Sequence, residues 1–207
     1  MEKLAFPDPE GADEEGLLAW GGNLQTATLL AAYRQGVFPW YGEEQPILWW
    51  SPDPRMVLFP AEFHCSQRLS RRLKQAQYRF SWDEAFGDVI RICAEIPRAG
   101  QAGTWILPEM LEAYQRLHDE GHAHSVEVWL QDVLVGGLYG VLLGKVFYAE
   151  SMFSLQRDGS KMALAKLVER AMQHGWRMID CQFHTGHLAS LGAREIPRRD
   201  FLQLLGD

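Results

Sequence analysis

Apolar positions along this chain change period several times, and each change predicts an element. Leu17–Trp20, a Gly21-Gly22 break and Thr26–Gln35 with Gly36 after it predict one short helix near the start. Five prolines between Pro39 and Pro60 break the next stretch into turns and extended pieces. From Ser66 onward helix and strand periods alternate. Ser66–Ala76, Ala85–Glu95 and Pro108–Glu120 read as helices, the last stopped by Gly121, with Tyr78–Trp82 a short strand. Ser125–Leu130 then alternates with period two, placing Val126, Val128 and Leu130 on one face. Turn residues Gln131-Asp132 and Gly144 divide it from strands over Val133–Leu142 and Lys145–Ala149, an antiparallel meander. Between Ser160 and His174, Leu164, Leu167, Val168 and Ala171 fall at i, i+3, i+4 and i+7, an amphipathic stripe ended by Gly175. A strand over Arg177–Cys181 and a closing helix over Arg199–Leu205 complete the pattern.

These elements describe an α+β protein. A small N-terminal module (residues 1–60) is too short to bury Trp40, Trp49 and Trp50 by itself, so its aromatic rings pack on the rest or line a cleft. Residues 61–207 form a second domain. A meander, a helix entered through a glycine-containing loop, and a further strand resemble the order in GCN5-related N-acetyltransferases. The loop Gln156–Lys161, QRDGSK, is similar to their pyrophosphate-holding loop. Lys161 stands where a small residue allows close approach, so the resemblance implies an acyltransferase-like fold whose acetyl-CoA loop is not functional.

Composition narrows the classes. With 47% hydrophobic and 23% charged residues the chain reads as globular. No apolar run approaches the ~20 residues of a membrane span, and the acidic, proline-containing start has no leader-like apolar region, so a cytoplasmic location and no membrane partner are expected. Cys65, Cys93 and Cys181 are too few and too scattered for a disulfide framework or a zinc pattern. The net charge of −7 points away from nucleic acid as the main partner, and no DNA contact is expected. Yet Arg68, Arg71, Arg72, Lys74 and Arg79 lie in a segment with no acid between Glu62 and Asp83. Such a face suits a limited contact with one RNA end, or is simply a solvated helix face.

Candidate chemistry gathers at the ends of apolar segments. Asp180 and Gln182 alternate along one strand and share a face, with Cys181 pointing the other way, and Glu150 ends a neighbouring strand. Such a group could position an amine and stabilise charge as it attacks an ester, or could be a structural polar network. Cys181 with His184 and His187 is read as a buried thiol rather than a nucleophile, because the base is placed on the wrong side. His118, His122 and His124 are read as capping or partly buried histidines rather than metal ligands, since Gly121 interrupts their helix.

The segments LAWGGNL (18–24), GVFPWY (36–41), LWWSPDPR (48–55), GTWI (103–106), GHAHSVEVW (121–129), GGLYGV (136–141), ESMFS (150–154) and IDCQ (179–182), then HLASLGA and IPRRDF, resemble those of leucyl/phenylalanyl-tRNA–protein transferases, over nearly the whole chain. The resemblance implies transfer of Leu, Phe and, less well, Met from the 3′ end of an aminoacyl-tRNA to a protein beginning with Arg or Lys. That step marks the protein for degradation in the N-degron pathway. It implies an apolar aminoacyl pocket at Trp40, Trp105, Phe147, Met152 and Ile179, with Leu167 and Ala171 at pocket positions that are often aromatic. Ala149 stands where relatives usually carry Gly. The same resemblance implies that Glu150, Asp180 and Gln182 surround the ester and the amine. Gln182 is expected to orient the amine, Asp180 to hold it and favour the developing ammonium, and a ribose hydroxyl or water to carry the proton. Arg71, Arg72 and Lys74 are expected to hold the tRNA acceptor end. No metal, nucleotide or organic cofactor is implied. The alternatives are an acetyl-CoA-dependent N-acetyltransferase of similar fold, and a non-catalytic module binding tRNA ends or N-degrons.

Overall fold

The computed structural model describes residues 6–96 and 106–206. Two sheets carry the architecture. A small one joins β1 (Leu17–Trp20), β3 (Leu48–Trp50) and β2 (Phe38–Pro39) in the order β1-β3-β2. The large one has seven strands in the order β10-β4-β9-β8-β7-β6-β5. Its meander is β5 (Tyr78–Trp82), β6 (Ala123–Leu130), β7 (Val133–Leu143) and β8 (Val146–Ser154), antiparallel throughout. β9 (Met178–Gln182) joins β8 in parallel, and β4 (Arg55–Leu58) and β10 (Arg194–Ile196) finish the edge. The expected α+β class with an antiparallel meander and flanking helices is what is observed.

Helices cover both faces of the large sheet, because buried side chains alternate along its strands. On one face, α1 (Thr26–Arg34), α3 (Phe86–Glu95) and α4 (Pro108–Asp119) pack with Val57, Tyr139, Val141, Tyr148 and Met178. On the other, α2 (Gln67–Leu73), α5 (Gly159–Gln173) and the short α6 (Gly186–Ala189) pack with Met56, Leu58, Phe147 and Ile179. A closing helix, α7 (Arg198–Gly206), buries Phe201. The stripe Leu164, Leu167, Val168 and Ala171 on α5 is buried as its spacing requires.

Two irregularities shape the functional end. β8 runs on through Ser154 rather than stopping at Ala149, so Glu150 lies within the strand. Tyr139 pairs with Ser151 and Gly140 with Ala149, which leaves Glu150 as an extra, unpaired residue, a β-bulge. The bulge needs glycine opposite: a Cβ on Gly140 would lie 2.1 Å from the Tyr148 carbonyl oxygen. In β9, Asp180 pairs with Val57 and Gln182 with Met56, so Cys181 is likewise extra. The parallel β8–β9 register ends at Tyr148 opposite Asp180, and beyond it the strands carry Glu150 and Gln182 into an open fork.

Candidate active site

A cavity of about 460 Å³ opens at this fork. Phe38, Trp40, Met152, Leu164, Phe183 and Leu188 give it an apolar wall, and Glu150 and Gln182 give it a polar end. The rings are held as a unit. Trp40 lies 5.3 Å from Phe183 and 5.7 Å from Trp50, centroid to centroid, and the Trp50 indole donates to the Trp40 carbonyl at 2.6 Å. Phe38 packs edge-on to Phe183. A large apolar wall with a few convergent polar groups is the usual form of a small-ligand site.

Glu150 is the centre of the polar end. Its Oε1 accepts from the Tyr33 hydroxyl at 2.8 Å and from the Gln182 amide at 3.3 Å, and its Oε2 accepts from the Tyr114 hydroxyl at 3.1 Å. The two phenols also hydrogen-bond each other. Burial lifts the Glu150 carboxyl to about 8, against the downward pull of the two phenol donations. Burial, then the neighbouring Glu150, raises both tyrosines well above the phenol range, so they stay protonated donors. With the Gln182 amide nitrogen turned to Glu150, its oxygen is left to accept from a ligand N–H.

Asp180 is fully buried and does not line the cavity. Both its oxygens face Arg55, at 2.8 Å to Nε and 2.6 Å to Nη2, a bidentate pair. Arg55 is itself fully buried, sandwiched 4.7 Å and 4.5 Å from the Phe38 and Phe201 rings, and donates to the Gly36 carbonyl. Asp180 Oδ1 also accepts from the Gln182 backbone N–H at 3.0 Å. That bond braces Gln182 at φ +57°, a left-handed conformation unusual for a residue with a Cβ. The expectation that the Asp180 charge favours a developing ammonium is therefore corrected. Arg55 already balances that charge, and Asp180 acts on Gln182 through the backbone.

The bulge also corrects the placement of Cys181. An extra residue breaks strict alternation, so Cys181 lines the same cavity as Gln182. Burial pushes its thiol up, which keeps it neutral and a poor nucleophile. Among the expected pocket residues, Trp40 and Met152 line the cavity, and Trp105 lies outside the described residues. Phe147, Ile179, Leu167 and Ala171 are not in the wall; all four are fully buried in the core. Phe147 stacks on Trp176 at 5.7 Å, and alternation along β8 sends it into the α5 side of the core. Phe38, Leu164 and Leu188 supply the surface expected of them.

Arg71 on α2 and Lys74 at its C-cap are exposed, but Arg72 is engaged, donating to the Arg157 carbonyl at 2.6 Å and lying 3.6 Å from Asp158. In the same loop the Ser160 N–H at the start of α5 is capped by Ser154 Oγ at 2.7 Å. Three of the histidines have local contacts or a place in the wall. His118 stacks on Phe86 at 4.2 Å, His124 pairs with Asp83 at 2.7 Å, and His187 lines the cavity with its pKa held down by burial.

Three side chains that hold the polar end together escape the sequence reading. Arg55 was legible as a lone charge opening the apolar run RMVLF, because a buried charge demands a partner. Tyr33 and Tyr114 sit on the buried stripes of α1 and α4, where only the need of a buried hydroxyl for a partner marks them out.

Comparison with known proteins gives the chain's family. The leucyl/phenylalanyl-tRNA protein transferase family profile matches residues 57–206, and its N-terminal domain profile matches residues 22–53. The leucyl/phenylalanyl-tRNA–protein transferase of Syntrophobacter fumaroxidans is 57% identical over 206 residues, covering 100% of this chain and 88% of that relative. One from an Anaeromyxobacter species is 54% identical over 204 residues, covering 99% and 87%. Among solved structures, FemX aligns with a TM-score of 0.51 at 13% identity, over 88% of this chain and 71% of that one, which shows a shared fold. A GCN5-related N-acetyltransferase from Kribbella flavida aligns with a TM-score of 0.42 at 10% identity, over 80% and 59%. On the strength of its sequence relatives, the chain belongs to the leucyl/phenylalanyl-tRNA–protein transferase family.

Proposed function

We propose that this protein is an aminoacyltransferase that moves an apolar aminoacyl group, Leu or Phe and less well Met, from tRNA to the N-terminal amine of a protein, forming a peptide bond. The acceptor begins with Arg or Lys, and the product enters the N-degron pathway. One observation carries the reading beyond family membership: an apolar cavity ends in a carboxyl and a carboxamide, and burial keeps the Cys181 thiol in its wall neutral. An aminoacyl ester is already activated, so aminolysis needs alignment and proton handling more than covalent catalysis. Orientation alone supplies about 7–11 kcal/mol in well-aligned pairs.

Residues 1–60 form a module that contributes Phe38 and Trp40 to the side-chain wall, and residues 61–207 supply Met152, Leu164 and Leu188. Gln182 offers its amide oxygen to an amine N–H, Glu150 fixes that amide by accepting from its nitrogen, and the Arg55–Asp180 pair fixes the Gln182 backbone. Single-turnover transfer from labelled leucyl-tRNA to an Arg-initiated peptide tests the proposal. Labelled peptide is expected, and tRNA binding without transfer would make the protein a binding module. A calorimetric titration with acetyl-CoA is expected to be flat; a binding isotherm would favour the N-acetyltransferase reading.

A further inference from the structure

The contacts among Tyr33, Tyr114 and Glu150 do not balance when protons are counted. Three oxygen–oxygen contacts close a ring: phenol to phenol, Tyr33 to Oε1 and Tyr114 to Oε2. Each needs one proton. The phenols bring two, and an ionised carboxylate brings none. With Glu150 ionised, both phenols turn to it and their own oxygens face each other with no proton between. With one proton added, the carboxyl donates to one phenol, that phenol to the other, and the second phenol to the carboxyl. All three contacts are then hydrogen bonds. The ring has one vacancy for a proton, and Glu150 opens it onto the cavity.

We propose that Tyr33 and Tyr114 close with Glu150 a three-oxygen ring that makes Glu150 the acceptor of the proton the attacking amine must lose. The inference rests on the aminoacyl-transfer reading above. The amine nitrogen bonds to the ester carbonyl carbon, leaving the nitrogen positive and the carbonyl oxygen negative. Glu150 takes a proton from that nitrogen. The carbon–ribose oxygen bond then breaks, the oxygen leaves with the electron pair and takes the proton, and Glu150 is a carboxylate again. Atoms and charge balance with no further reagent.

Burial alone would keep such a carboxyl protonated and useless as an acceptor. The phenol donations pull it down, and at about 8 the carboxyl still exchanges its proton near neutral pH instead of keeping it throughout. Other groups facing it from neighbouring elements offset one another or carry no charge. Asp180 on β9 raises Glu150 while Arg55 on β4 lowers it, as one ion pair. Gln182 is neutral, the Cys181 thiol is pushed up by burial, and His187 is held toward its neutral form. Tyr33 and Tyr114 are thus positioning residues acting through Glu150.

Single-turnover transfer of leucine to one Arg-initiated peptide, measured against pH with saturating leucyl-tRNA, tests the assignment. The peptide's own amine titration is common to every curve, so displacement between curves reports the enzyme. Tyr33→Phe and Tyr114→Phe each remove a donor to the carboxylate and are expected to move the rising limb to higher pH by about one unit. The Kd for leucyl-tRNA should stay at the wild-type value. Slower curves with an unmoved limb would reduce the tyrosines to packing and overturn the inference. Infrared titration of the substrate-free wild-type protein decides the matter if the variants do not fold, or if no leucine is transferred at all. A protonated-carboxyl band at pH 6 that is missing in Glu150→Gln and disappears through about pH 8 is expected. Absence of that band would overturn the ring even where transfer itself is observed, whereas a failure of transfer with the band present would overturn only the proposed function.

Discussion

At Glu150 folding and the proposed proton transfer make opposite demands. Burial moves the carboxyl from an ordinary 4.5 to about 8, so the folded protein holds a proton that the unfolded chain releases. A group raised in this way loses stability as pH climbs between those two values, and the loss is complete above the higher one. Glu150→Gln carries no charge and presents an amide shaped like the protonated acid, with a donor for Tyr114 and an acceptor for Tyr33. It is expected to be more stable than wild type by about 2–4 kcal/mol at pH 9 and by less at pH 6, while transfer falls by orders of magnitude. Thermal melts at the two pH values check this, and a gap that does not widen toward pH 9 would show that burial does not load the carboxyl. Glu150, Asp180 and Gln182 were legible in the sequence because charged or amide groups ending apolar runs are costly to desolvate. Their division of labour was not, since it depends on Arg55, 125 residues away along the chain, and on two tyrosines that composition files under core.

Element by element, the meander and the amphipathic α5 follow from their periods, and the structure reproduces them. The bulges at Glu150 and Cys181 do not, because one inserted residue shifts facing without changing composition. Strict alternation therefore turns Cys181 away from the cavity, and nothing in composition separates the core-facing positions of β8, β9 and α5 from pocket wall. The contact between β7 and α5 is equally hidden in the sequence. Gly136 and Gly159 meet backbone to backbone, and a Cβ on Gly136 would lie 2.6 Å from the Gly159 Cα. No flexible side chain is there to yield, so the start of α5 must move. Gly136→Ala is expected to cost about 1–3 kcal/mol, read as a lower denaturant midpoint at unchanged slope. An unchanged midpoint would show that α5 slides on the sheet freely.

Over the whole molecule, charge is distributed against its own sum. The chain carries −7, yet α2 and its C-cap residue present Arg68, Arg71 and Lys74 to solvent with no acid in the helix. A polyanion approaching an acidic protein is repelled except where such a face is turned toward it, so on the proposed reading the patch orients the tRNA as well as holding it. Arg72 differs from its neighbours, since its guanidinium already ties α2 to the loop before α5. Neutralising Arg68, Arg71 and Lys74 together is expected to raise the Kd for tRNA. The slope of log K against log salt should flatten by about 0.7–0.9 for each phosphate that is no longer neutralised. Arg72→Ala is expected to leave that slope near wild type while loosening the loop. A short aminoacyl-nucleoside donor, which does not reach α2, should react equally well with the triple variant and the wild type. Salt titrations of binding beside transfer rates with the short donor separate these effects. A triple variant with the wild-type slope would make the basic face merely solvated, and equal losses with both donors would mean that the substitutions disturb the cavity instead of the grip on tRNA.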